Sequence, residues 1–137
     1  MLFTRLVLFS LALTLAGVLA ACGGGGSGPT AFSYSGTWSG TLNDSIGGAG
    51  TATITVSQSG SDLVGTWQST FAAGGTNSGT LQGLIRTNDV LIELYPSDPR
   101  TCPFALVAQR SGSTLSGTYV AFDCTVSVSG TMSITKQ

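Results

Sequence analysis

The sequence predicts an all-β protein, an eight-stranded antiparallel up-and-down barrel made of two related four-strand halves. Three observations carry that prediction. Apolar and polar residues alternate with period two through almost everything after residue 31, the signature of half-buried strands. The alternating runs are joined by short, turn-like connections. A ten-residue pattern recurs about half a domain later.

In chain order, the first strand is expected over residues 33–43. There "YSGTWSGTL" sets Tyr34, Gly36, Trp38, Gly40 and Leu42 against Ser35, Thr37, Ser39 and Thr41. The second, over 50–58, sets Ala52, Ile54 and Val56 against Thr51, Thr53 and Thr55. The third, over 63–72, places Gly65 and Trp67 on one face, and the fourth, over 78–87, does the same with Leu81 and Gly83. The fifth and sixth are expected over 89–95 and 103–110, the latter with Phe104 and Leu106 inward. In the seventh, over 114–123, Leu115, Gly117 and Tyr119 point inward. The eighth, over 125–136, sets Val126, Val128, Met132 and Ile134 against Ser and Thr. A helix cannot turn such alternation into one apolar face.

The repeat ties these runs together. "QSGSDLVGTW" (residues 58–67) and "RSGSTLSGTY" (residues 110–119) match at Ser, Gly, Ser, Leu, Gly and Thr and end in an aromatic ring. "NSGTL" (77–81) and "VSGTM" (128–132) repeat a second element at nearly the same offset. Eight consecutive strands with one apolar face each would expose two unpaired edges if left flat. A two-sheet sandwich competes as a solution, but meander-length loops favour closure into a barrel. Inward Gly36, Gly65, Gly83, Gly117 and Gly130 beside bulky neighbours suit a curved, tapering interior.

Cys102 and Cys124 are expected to form a disulfide, since no metal-ligating or redox partner lies near either. Closing a loop of about 23 residues stabilises by roughly 3 kcal/mol in the chain-entropy model. Parity puts Cys102 inward with Phe104, but Cys124 and Phe122 outward. A bulge or break between Val120 and Asp123 is therefore expected, turning Phe122 and Cys124 toward the core beside Cys102.

Ahead of the barrel, a basic start ending at Arg5 precedes an apolar run over residues 6–21, interrupted only by Ser10 and Thr14. That run is short for a membrane-spanning helix and fits a secretory signal peptide over residues 1–21. Leu19, Ala20, Ala21 and Cys22 resemble a bacterial lipobox. The resemblance implies cleavage before Cys22, lipidation of its thiol and attachment to a membrane through those acyl chains. Residues 22–31 then read as the lipidated cysteine and a glycine-rich tether, spanning about 15–18 Å root-mean-square, with the barrel domain over 32–137. Gly23 after the anchor resembles lipoproteins sorted to the outer membrane where the host has one, and otherwise the outer face of the cytoplasmic membrane is expected.

Charge and composition exclude several functions. Of five cationic side chains only Arg5 precedes the domain, so four cations face six carboxylates there, a net −2. Four scattered cations cannot make the basic face that nucleic acid requires. With no histidine in the chain, His-dependent triads, His metal sites and imidazole acid–base chemistry are ruled out. Asp123 and Glu93 stand isolated, and no hydroxyl has a base at a recognisable spacing. The chain thus reads as a non-enzyme, with no cofactor, metal site or catalytic residue expected.

The "GTW" at 36–38, with "LVGTW" and "LSGTY" recurring, resembles the Gly-x-Trp and Gly-Thr-Tyr strand motifs of avidin- and lipocalin-type barrels. The resemblance implies that Trp38 closes the barrel floor and that Trp67 and Ser69 occupy ligand-contact positions. Gly40 stands where the avidin family places Asn. Trp38, Trp67, Ser69, Phe71 and Tyr119 are accordingly the candidate ligand cavity. The segment "YPSDPRTCP" (95–103) holds three of four prolines, and its Tyr95, Asp98 and Arg100 form a candidate recognition loop. The expected function is a lipid-anchored barrel binding a small apolar ligand. The alternatives are a protein-interaction module such as an inhibitor of a secreted hydrolase, or a purely structural envelope lipoprotein. Membrane-bound lysozyme inhibitors are likewise small lipid-anchored barrels, but "SGTY" at 116–119 is one residue short of their Ser-Gly-x-x-Tyr motif.

Overall fold

All eight strands form: β1 (Gly36–Asp44), β2 (Gly48–Ser59), β3 (Asp62–Phe71), β4 (Thr76–Ile85), β5 (Val90–Pro96), β6 (Phe104–Ser111), β7 (Thr114–Ala121) and β8 (Ser129–Lys136). The coordinates are a computed structural model that describes residues 31–137. The expected signal peptide, Cys22 and the glycine run of the expected tether lie outside the described residues. Each strand pairs antiparallel with the next, and β8 returns to β1 from Trp38↔Lys136 to Asp44↔Gly130, closing the barrel.

Alternation decides which face is buried. Along β2 the Thr residues are exposed while Ala52, Ile54 and Val56 are buried, and the other strands follow suit. The core is one cluster inside the barrel, with Ile54, Leu63, Ile92, Leu106 and Ile134 each about 1% exposed. Outside, Ser and Thr dominate. Apolar in and polar out is the reverse of a membrane-spanning barrel. The two Ser-Gly-Ser turns become two-residue hairpins, Ser59↔Asp62 and Ser111↔Thr114. Gly60 and Gly112 take φ of 61° and 60° there, the left-handed backbone that the first position of a II′ turn requires.

The two halves correspond in role as well as in sequence. Trp67 lies opposite Gly79 on β4, and Tyr119 lies opposite Gly130 on β8. Gly65 and Gly117 also match. A Cβ on either would sit 1.9 or 2.0 Å from a backbone oxygen, of Thr55 or Val107 respectively.

Two expectations near the seventh connection need correction. The strand does break between Val120 and Asp123: β7 ends at Ala121, and Asp123 adopts φ 51°. β8, however, starts at Ser129 rather than 125, leaving Val126 and Val128 in a loop. The disulfide Cys102–Cys124 is present, yet Cys124 is exposed. Phe122 packs edge-on against the outward-facing Tyr95, with ring centroids 6.1 Å apart, instead of entering the core. The reason is that a break abolishes strand parity, whereas a bulge would have inverted it. Once the chain leaves the ladder, the Phe122 amide donating to Pro103 O (3.0 Å) and the disulfide place these side chains.

Candidate functional site

The two ends of the barrel differ. At the end where β1 begins, Phe32, Tyr34 and Trp38 form an aromatic plug: Tyr34 stacks on Trp38, and Phe32 meets Tyr34 edge-on at 5.2 Å. The indole N–H of Trp38 donates to Tyr34 O (2.9 Å), and the Arg110 guanidinium lies 4.1 Å from the centre of the Phe32 ring. Trp38 is 1% exposed and closes this end.

The other end is open. The β1–β2, β3–β4, β5–β6 and β7–β8 connections surround a cavity of about 420 Å³. Its aromatic wall holds Trp67 and Phe71 from β3, Tyr119 from β7 and Phe104 from β6, and Leu42, Ile54 and Leu94 are among its aliphatic residues. Ile46 (67% exposed) and Val126 (50%) form apolar lips. Ser69 and Asn77 supply polar atoms within it.

Trp67, Ser69, Phe71 and Tyr119 are therefore brought together, because period two along β3 and β7 aims them all inward. Trp38 is not with them: it belongs to the plug at the far end. The proposed recognition loop divides. Asp98 and Arg100 pair at the rim (2.9 Å), and Arg100 lines the mouth, whereas Tyr95 sits on the outer wall with its hydroxyl donating to Glu93 (2.7 Å). Arg100 holds the Asp98 carboxyl below its usual range; Gln82 and then Tyr95 do the same for Glu93.

Asp44 escaped the sequence reading. One of its carboxylate oxygens accepts the Ile46 and Gly47 amides at 2.8 Å, and the other accepts the Tyr119 hydroxyl at 2.9 Å. Burial, and then the bond to Asp44, push the Tyr119 phenol well above its ordinary value. Edge-on contact with Phe104 at 5.6 Å completes its setting. An Asp before a "SIGG" turn is a recognisable turn residue, but its tyrosine partner lies 75 residues away. Among the described residues no group of three metal-ligating side chains occurs. Chemically, the arrangement is an apolar receptacle with a few fixed polar atoms.

No protein-family model matches the chain, and no curated protein matches it. Solved structures do. The barrel EF1p2_mFAP2b bound to DFHBI is 13% identical, with a TM-score of 0.66, covering 75% of this chain and 93% of its own. A de novo designed fluorescence-activating β-barrel is 16% identical, with a TM-score of 0.62, covering 76% of this chain and 94% of its own. At such identities the likeness is one of fold.

Proposed function

We propose that this chain is a lipid-anchored cell-envelope protein whose barrel, without catalysing a reaction, holds a small apolar ligand in its open mouth. The cavity carries this reading: about 420 Å³ lies within the range of small-molecule sites, roughly 300–1,000 Å³, and its lining is mostly aliphatic and aromatic. The fold shared with a barrel bound to DFHBI supports it, and the lipobox supports the anchor. The described chain enters the barrel at the plugged end, Phe32 packing against Trp38.

The test is titration of the exported chain carrying Cys22→Ser, which removes competing acyl chains, with N-phenyl-1-naphthylamine. Its emission is expected to rise on binding, and Trp67→Ala, which strips one aromatic wall, should weaken binding about tenfold or more. No saturable binding by the intact barrel would refute the reading.

A further inference from the structure

We propose that the ligand is a flat, uncharged aromatic compound with a carbonyl or amide oxygen at its edge, received by Ser69 and Asn77. This rests on the reading of the mouth as a ligand site. Ser69 and Asn77 are cross-strand partners on β3 and β4, and both line the cavity. Ser69 is the buried polar side chain of the described residues, at 4% exposure. Among those residues no group bonds its hydroxyl; it opens on the cavity. The Asn77 carboxamide, half-buried beside it, likewise makes no bond to them. A hydroxyl and a carboxamide together offer donors and acceptors, and a ligand seated against them would bury both, so that each would then need a partner from it.

The internal repeat singles out the same pair. At the repeat offsets Ser69 corresponds to Ala121 and Asn77 to Val128. One half of the barrel is polar where the other is apolar. Neither residue serves the shared architecture, since the second half closes without them.

The neighbours set shape and charge. Trp67 and Phe71 flank Ser69 on the same face of β3, and the Phe104–Tyr119 pair lines the cavity from β6 and β7. Aromatic walls of this kind favour a planar ring system. The charged groups of the lining are both occupied. Asp44 accepts three hydrogen bonds, and Arg100 makes a two-point pair with Asp98. A charged group seated against the aromatic wall would be desolvated while Arg100, the cation of the lining, stays exposed at the rim in its pair with Asp98, a large cost.

The closing experiment compares 9-fluorenone with fluorene, alike in shape and differing by one carbonyl oxygen. Both compete against N-phenyl-1-naphthylamine on the Cys22→Ser chain. The preference for fluorenone should fall about tenfold when Ser69→Ala and Asn77→Leu are combined, while fluorene binds as before or better. Ser69→Ala alone, which removes one atom, should give part of that fall and carries the test should the double variant misfold. An unchanged preference overturns the assignment while leaving the cavity a ligand site. Failure of the probe itself to bind overturns both.

Discussion

Tyr119 shows how one side chain joins both ends of the sequence. Replacing it with Phe removes the bond to Asp44 and should cost about 1 kcal/mol, read as a lowered Tm. The pH dependence has a definite sign. The phenol is raised above its ordinary 10.0 in the fold, so its contribution is whole below pH 10 and is lost as pH climbs beyond it. Melting curves from pH 8 to 11 should therefore fall above pH 10, and less steeply in Tyr119→Phe. Gly65 and Gly117 provide a second test. Their absent Cβ atoms make room for the carbonyls of Thr55 and Val107, so Gly65→Ala and Gly117→Ala should each destabilise by about 1–3 kcal/mol in urea titrations. Strand parity made Trp67, Ser69, Phe71 and Tyr119 legible as inward residues. Asn77 was readable only as a departure from the repeat, and Asp44 not at all, because its partner is distant in sequence.

Strand and turn positions follow from local chemistry, since alternation and a Ser-Gly-Ser turn act over a few residues. The mouth loops do not. Between β7 and β8 the alternation of Val126 and Val128 imitates a strand, but Asp123 and the disulfide pull residues 122–128 out of the ladder. That disulfide links the β5–β6 and β7–β8 connections, both of which line the cavity. Combining Cys102→Ala with Cys124→Ala should cost about 3 kcal/mol in the chain-entropy model. It should also weaken N-phenyl-1-naphthylamine binding more than an equally destabilising change at the plugged end, such as one at Phe32. Equal losses of affinity in the two variants would show that the staple serves stability alone.

Closure makes eight marginal strands one structure, because pairing β8 with β1 removes both sheet edges. The outer wall of the barrel is mostly Ser and Thr, so the proposed membrane attachment is assigned to Cys22 and is tested there. In a bacterial host, Cys22→Ser should move the protein from the membrane to the soluble fraction and abolish labelling by a radioactive fatty acid. Persistent membrane association of the processed variant would refute the anchor.

The sequence by itself determined the strand count, the inward and outward faces within the strands that form, the meander, the pairing of Cys102 with Cys124 and the bend-permitting glycines. Each follows from short-range periodicity, from turn geometry or from the scarcity of partners. Only the tertiary structure decided that one end is plugged by Phe32, Tyr34 and Trp38 while the other stays open. It also decided that Tyr119 is held by Asp44, and that Ser69 and Asn77 lie side by side without partners among the described residues. These depend on register and on the volume left once eight strands close. Alternation says which way a side chain points, and only the closed barrel says what it meets there.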